Sequence, residues 1–256
     1  MELWQAFLMG AVEGLTEFLP VSSTGHLILT AHLLGIPHNS FTKSFEISIQ
    51  LGSILAVLFI YWRRFVRDME LWKRIMVAFL PTGFLGFTFY RFIKGYLIGN
   101  DLVVVISLVL GGFVLLFADR LCEGFCKLMD AGELSYRRAF AIGLFQSLAM
   151  VPGVSRSGAT IVGGMLMGLS RKASAEFSFL LAVPTMLIAT SYDLFKSRYE
   201  FQTAEWQTLL VGFITAFLFA LISVRALLNF VSKHSFVPFG IYRIMVGLVY
   251  AYFFLL

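Results

Sequence analysis

Apolar residues run along this chain in stretches long enough to cross a bilayer. Six are predicted to be spanning helices, at about 44–62, 75–93, 102–118, 174–192, 207–228 and 237–255. Each approaches the ~20 residues that a hydrocarbon core of ~30 Å requires. Trp62, Trp72 and Trp206 fall at or near span ends, where interfacial tryptophans belong. Two further apolar regions break the pattern. Residues 3–35 hold Glu13, Glu17, Pro20 and the polar run Ser22-Ser23-Thr24-Gly25-His26; residues 139–169 hold Gln146, Pro152 and Ser155-Arg156-Ser157-Gly158. In each, two short apolar helices flank a polar Gly/Pro break. Non-helical backbone survives at membrane depth only where protein or a water-filled cavity satisfies it. Both regions are therefore predicted to be re-entrant helical hairpins.

The two broken regions align without gaps at an offset of 133 residues: Gly10 on Gly143, Glu13 on Gln146, Val21 on Val154, Ser22 on Ser155, Thr24 on Ser157 and Gly25 on Gly158. Further on, Ser44-Phe45-Glu46-Ile47-Ser48 resembles Ser174-Ala175-Glu176-Phe177-Ser178 at an offset of 130. The expected architecture is an all-α integral membrane protein, a single membrane domain over 1–256. Residues 1–120 form a first repeat and residues 136–256 a second, each a hairpin followed by three spans. An odd number of spans per half gives the halves opposite orientations, the mark of an inverted-topology repeat whose polar sites gather near the bilayer midplane.

Composition narrows the function classes. Hydrophobic residues make up 59% and charged residues 14% of the 256. Soluble domains carry roughly 45–50% apolar and about 25% charged residues. A soluble enzyme, a nucleic-acid binder and a disordered chain are thus disfavoured, and the net charge of +5 is better read as positive membrane loops than as a nucleic-acid surface. Thirteen basic residues fall on one side (Arg63, Arg64, Arg67, Lys73, Arg74, Arg120, Lys127, Arg137, Arg138, Arg171, Lys172, Arg225 and Lys233) and five on the other (Lys43, Arg91, Lys94, Lys196 and Arg198). Arg156 and Arg243 are placed within the membrane domain. The positive-inside rule puts the larger group in the cytoplasm, both termini outside, the first hairpin entering from outside and the second from the cytoplasm. Cys122 and Cys126 have C-x-x-x-C spacing with no histidine nearby, so reduced thiols in a cytosolic loop are expected rather than a zinc or redox site. Glu2 and Glu13 do not suit a cleavable signal.

The two breaks carry the chemistry. Ser22, Ser23 and Thr24 precede a helix expected to begin near Gly25, and Ser155, Arg156 and Ser157 precede one expected near Gly158. Serine and threonine cap helices, and a helix N-terminus binds anions through free N–H groups and a partial positive charge. If the tips meet, two N-termini, several hydroxyls and Arg156 converge on one small volume. An arginine at that depth needs an anionic partner, and its planar fork suits phosphate. The alternative is that Arg156 pairs with Glu13 or Glu17 as internal glue. Glu13 and Glu17 lie four apart on one helix face and repel unless they share a proton, a cation or an arginine. They suit a divalent metal such as Mg²⁺ or Ca²⁺, or one of them a general base. A pair that only fixes the hairpin is the alternative. His26 is close enough to activate a serine or protonate a leaving group. His32, His38 and His234 have no such company. Glu46 and Gln50 are candidates to line the same cavity, and Glu176 is the counterpart of Glu46; Asp119, Asp193 and the loop acids are expected to be solvated.

These residues carry a resemblance. The run from Glu13 to His26, Glu-Gly-Leu-Thr-Glu-Phe-Leu-Pro-Val-Ser-Ser-Thr-Gly-His, resembles a signature of the bacterial undecaprenyl-diphosphate phosphatase family, the bacitracin-resistance proteins. Pro152-Gly-Val-Ser155-Arg156-Ser157-Gly-Ala-Thr160 resembles its second signature, and Phe45-Glu-Ile-Ser-Ile-Gln-Leu-Gly-Ser-Ile-Leu-Ala-Val also matches. The resemblance implies a multi-pass enzyme of the bacterial inner membrane, with its site open to the periplasm and a divalent cation as cofactor. It implies hydrolysis of undecaprenyl diphosphate to undecaprenyl phosphate, the lipid carrier of peptidoglycan precursors, and bacitracin resistance. Carried over by motif, Glu13, Glu17, Ser23, His26 and Arg156 are the catalytic set, while Ser22, Thr24, Ser155, Ser157 and Thr160 match phosphate-contacting positions.

Ser23 is the preferred nucleophile, with His26 or Glu17 handling protons; direct attack by water oriented by His26 stays open. The expected partners are the polyprenyl diphosphate substrate and membrane lipid, with no nucleic acid and room for a homodimer. The runner-up is a secondary transporter of a phosphate-bearing lipid or an anion, since inverted repeats with broken helices are common there. A carrier, however, has no evident use for a nucleophile beside an acid/base. A purely structural scaffold leaves Arg156 and the paired glutamates unexplained.

Overall fold

The computed structural model describes residues 1–37, 39–92, 96–97, 100–197 and 206–255, without the side chains of 40, 90–92 and 193–197. His38, Lys94 and Arg198 fall outside the described residues, as do the side chains of Arg91, Asp193 and Lys196. Among the described residues ten α-helices follow in order: α1 Leu3–Thr16, α2 Ser23–Leu33, α3 Ser40–Arg67, α4 Met69–Phe92, α5 Asp101–Leu121, α6 Tyr136–Ser147, α7 Arg156–Leu166, α8 Arg171–Ser197, α9 Trp206–Val231 and α10 Val237–Phe254. The β pairing among the described residues is one isolated parallel bridge, Leu128 to Leu169.

Local chemistry explains where the helices start. Glu2 and Gln5 form a capping box ahead of α1. Asn39 Oδ1 accepts from Thr42 N at 2.9 Å to open α3, and Asn100 Oδ1 accepts from Val103 N to open α5. Pro238 sits in the first turn of α10, where its missing N–H is harmless.

Among the described residues, five helical stretches are long and apolar enough to cross a membrane: Phe41–Arg67, Asp101–Leu121, Arg171–Tyr192, Trp206–Val231 and Val237–Phe254. They coincide with five of the six expected spans. The sixth, α4, is 24 residues long but does not reach that measure over its described residues. Its first turns carry Glu70, Lys73 and Arg74. Hydrogen bonds from Lys73, Tyr136 and Arg74 pull the Glu70 carboxyl down to about 2 and tie the start of α4 to that of α6. Large apolar side chains such as Phe59, Phe84, Phe87 and Leu248 point outward. An apolar exterior of this extent suits lipid.

Small residues set the closest helix pairs, as expected where no hydrophobic force separates helix from lipid. At Gly10 a Cβ would run into the Gly212 carbonyl, so α1 lies against α9; at Gly143 it would run into the Ala78 carbonyl, so α6 lies against α4. Gly112 and Gly240 make the same kind of seam between α5 and α10. α3 and α8 pack on each other through the middle, around Phe18, Phe179, Ile54 and Val183.

Two breaks interrupt the short helices, one between α1 and α2, the other between α6 and α7. Among the described residues, Ser22 (φ 73°) and Ser155 (φ 71°) alone are non-glycine residues with positive φ. Each immediately precedes an 11-residue helix. That region costs a β-carbon-bearing residue of order 1–3 kcal/mol and persists only where the surroundings impose it.

Two local expectations need correction. The helices after the breaks begin two residues earlier than expected, at Ser23 and Arg156, because a positive-φ residue, Ser22 or Ser155, stands directly ahead of each. Asp119 is not solvated: it pairs with Arg171 at the start of α8 and accepts the Phe236 N–H at 2.8 Å, tying three helix ends together. Glu176 is likewise engaged, receiving Arg64 at 3.0 Å. Cys122 and Cys126 are free thiols, and Cys126 Sγ donates to the Met165 carbonyl.

Candidate active site

The two breaks meet inside the protein. Ser157 Oγ in the second donates to the carbonyl of Leu19 in the first at 2.7 Å, and Arg156 crosses to Glu17 at 3.1 Å. Between them lies a cavity of about 190 Å³. Glu17, Ser22, Ser23 and Thr24 line it from one side, Ser155 and Arg156 from the other, and Gln50 of α3 completes the polar wall.

Glu17 sits just past the last turn of α1 and is the hub. One carboxylate oxygen accepts the Ser23 hydroxyl at 2.5 Å; the other accepts Arg156 Nη2 at 3.1 Å. Arg156 also donates Nη1 to the Ser178 carbonyl at 3.1 Å and lies 5.9 Å from the Phe18 ring. Its Nε is buried with no partner. The guanidinium is therefore held at two of its nitrogens, and each Nη keeps a second N–H that neither of these bonds uses. The helix ends add further donors. Ser22 makes no side-chain cap on α2, so the first amides of that helix stay open, whereas Ser155 Oγ accepts Gly158 N at 3.1 Å on α7. Open amides and a helix dipole aimed at one cavity favour an anion there.

His26 is placed differently from the expectation. Its Nδ1 lies 2.8 Å from the Ser22 carbonyl, which can only accept, so Nδ1 carries the proton. Nε2 then accepts from the Tyr242 hydroxyl at 2.8 Å, and the two rings stack 14° from parallel. Ser23 thus has Glu17 as its partner, not His26. Glu13, His26, Glu46, Ser157 and Thr160 are not among the residues lining the cavity: Ser157 holds Leu19, and Thr160 binds the Arg156 carbonyl and Ser178 Oγ at 2.6 Å. Ser157 and Thr160 shape the second break from behind.

Glu13 is fully buried, and neither of its carboxylate oxygens has a hydrogen-bond partner. The charges acting on it come from Glu17, Glu46 and Arg156, and Glu46 also has a buried oxygen without a partner. Gln146, aligned with Glu13 in the second broken region, is satisfied by Thr82 at 2.9 Å and Thr185 at 3.3 Å. The amide is glue; the carboxylate is left open. Buried oxygens without partners, next to a second carboxyl group, fit an oxygen-seeking divalent cation. Among the described residues no group of three or more His, Cys, Asp or Glu stands ready to hold a metal, so Glu13 and Glu17 fit a cation completed by substrate oxygens and water.

Sequence reasoning missed the contribution of α10. Tyr242 gave no signal, because tyrosine is common near membrane interfaces. Arg243 was visible as a charge in an apolar helix, but its partners were not. It is buried and binds backbone carbonyls of both breaks.

A family model described as bacitracin resistance protein BacA matches residues 6–249. The chain is similar to the undecaprenyl-diphosphatase of Aquifex aeolicus, 65% identical over 255 residues and covering 100% of both chains. It is 56% identical over 255 residues to the undecaprenyl-diphosphatase of Thermus thermophilus, covering 98% of this chain and 97% of that one. It is 55% identical over 253 residues to the undecaprenyl-diphosphatase of a Sulfurihydrogenibium species, covering 98% of each. With matched signatures lining one cavity and likeness along the whole chain, the protein belongs to the BacA family of bacitracin resistance proteins.

Proposed function

We infer that this protein is a membrane phosphatase that hydrolyses undecaprenyl diphosphate to undecaprenyl phosphate and inorganic phosphate. It thereby recycles the lipid carrier of peptidoglycan synthesis and confers bacitracin resistance. The family match and the full-length likeness to undecaprenyl-diphosphatases support this activity. The observation that carries the chemistry is the 2.5 Å bond from Ser23 Oγ to Glu17, with Arg156 on the other oxygen of the same carboxylate. A hydroxyl on a carboxylate is a nucleophile beside its base, and a fork of donors beside it is a place for phosphate.

In the proposed sequence, the distal phosphate enters between the break tips and is held by Arg156, the open amides of α2, and the hydroxyls of Ser22, Thr24 and Ser155. Glu17 takes the Ser23 proton as Oγ attacks the distal phosphorus. The anhydride bond breaks, undecaprenyl phosphate leaves, and Ser23 carries the phosphoryl group. Water then attacks that phosphorus, the Oγ–phosphorus bond breaks, Glu17 returns its proton to Oγ, and phosphate is released. His26, with its proton on Nδ1, presents Nε2 for the water proton once Tyr242 yields that lone pair. A divalent cation bound at Glu13 and Glu17 would supply charge neutralisation for the diphosphate oxygens. Ser157 and Thr160 hold the shape of the second break.

The membrane layout belongs to the same proposal: six spans with two re-entrant hairpins in an inverted repeat, 1–120 and 136–256. The first five helices run 14, 11, 28, 24 and 21 residues and the last five 12, 11, 27, 26 and 18, which supports two halves of one plan. The strained serines lie 133 residues apart and the α1–α9 seam mirrors the α6–α4 seam. The expected setting is the bacterial inner membrane with the cavity facing the periplasm. The test is phosphate release from undecaprenyl diphosphate by the purified protein in detergent. A transporter has no membrane to work across there; absence of phosphate release from folded protein overturns the reading.

A further inference from the structure

Arg243 lies in α10, 1% exposed. A buried cation at this depth ordinarily finds an acid. Among the described residues its hydrogen bonds all go to backbone carbonyls instead: Gly153 and Val154 at 2.6 Å, Ser107 at 3.0 Å, Leu108 at 3.1 Å and Pro20 at 3.4 Å. One guanidinium therefore joins the first break, the second break and α5. The carbonyls it holds closely precede the two strained serines: Val154 is next to Ser155, and Pro20 is two residues before Ser22. α5 leaves room for it only because residue 111 is glycine, since a Cβ there would lie 2.5 Å from the arginine Cζ. Arg243 does not line the cavity.

We propose that Arg243 is a positioning residue for the phosphatase reaction: it fixes the two breaks against each other, and so sets where Ser23 and Arg156 stand across the cavity. The proposal rests on reading Ser23, Glu17 and Arg156 as the reacting set. The chemistry suits a guanidinium and not an ammonium. Five donors in a rigid plane can serve several carbonyls on three elements at once, whereas lysine brings one compact charge on a flexible stem. Strain at Ser22 and Ser155 needs an external restraint, and this is the side chain that touches the backbone leading into both.

The experiment uses the full-length protein in detergent, with folding followed by size exclusion and thermal unfolding. Displacement of a reacting group by ~1 Å costs on the order of 10²-fold, so folded Arg243→Lys should lose about that much kcat, with KM changed by roughly threefold or less. Gly111→Ala keeps the arginine, pushes its guanidinium out of place and should reduce kcat in the same direction. Added guanidinium should restore part of the turnover of Arg243→Ala. In an Arg156→Ala background, Arg243→Lys should cost little more, because residues that act as a unit do not add. Folded Arg243→Lys and Gly111→Ala with kcat near wild type would overturn the proposal, as would losses that multiply in the double variant. If Arg243 variants do not fold, Gly111→Ala decides alone. An unimpaired Arg156→Ala would instead overturn the assignment of the reacting set, leaving the single-variant results for Arg243 to stand by themselves.

Discussion

Ser23 donates its hydroxyl to Glu17 across 2.5 Å, linking the first residue of α2 to the end of α1 over the break between them. Loss of the hydroxyl removes the nucleophile but leaves Arg156 and the helix amides to bind phosphate. Ser23→Ala should therefore lose nearly all kcat while keeping diphosphate affinity, and Glu17→Gln should also lose nearly all kcat by removing the base. Ser22→Ala should lose far less, on the scale of the ~1 kcal/mol that a cap or single contact contributes. Steady-state kinetics on purified variants checks this. Retention of a tenth or more of kcat in Ser23→Ala would rule out an obligatory phosphoserine and leave water attack directed by Glu17 and His26.

Arg156 is held by Glu17 and the Ser178 carbonyl through two separate nitrogens, with Nε free. Lysine keeps the charge and cannot reproduce that fork. Arg156→Lys and Arg156→Ala should both lose transition-state stabilisation of about 2.7–4 kcal/mol, or 10²–10³ in kcat. Rescue by lysine to near wild-type turnover would show that Arg156 acts as a charge alone.

Tyr242 is the group that occupies His26 Nε2. Tyr242→Phe keeps the stacked ring and removes one hydrogen bond, a change of about 0.5–1.5 kcal/mol. Because that bond must break before Nε2 can take the water proton, the expected result is a kcat raised roughly two- to tenfold, with the same substitution nearly silent in a His26→Ala background. Equal effects in both backgrounds would detach Tyr242 from His26.

Glu13 carries buried oxygens without partners, and Gln146 in the aligned position does not. Removal of divalent cations with a chelator should abolish phosphate release, and Mg²⁺ or Ca²⁺ should restore it. Glu13→Gln should raise the cation concentration needed for half-maximal activity. Full activity in chelator, or an unchanged cation requirement in Glu13→Gln, would remove Glu13 from metal binding.

The loop charges predict that both termini lie outside the cytoplasm. A C-terminal alkaline phosphatase fusion should be active and a C-terminal green fluorescent protein fusion dark. The reverse pattern would overturn the orientation and the inverted repeat with it.

The sequence alone determined where the chain must be helical and apolar, because span length and hydropathy are local properties. It also located both breaks, since glycine, proline and serine runs inside apolar stretches free backbone polar groups that lipid cannot satisfy. Ser22, Ser23, Thr24, Ser155 and Arg156 were legible for the same reason, and the structure lines one cavity with all five. What only the tertiary structure decided is which groups become partners. Spacing predicts neighbours three or four residues apart on one helix, so it placed His26 beside Ser23. Packing instead set α10 against the first hairpin and handed the ring to Tyr242, 216 residues away. It also buried Arg243 against carbonyls of two distant breaks, and closed Asp119 between Arg171 and Phe236. Those choices follow from how closely glycine seams such as Gly10–Gly212 and Gly112–Gly240 allow helices to approach. That distance is a property of paired surfaces, which no single stretch of sequence contains.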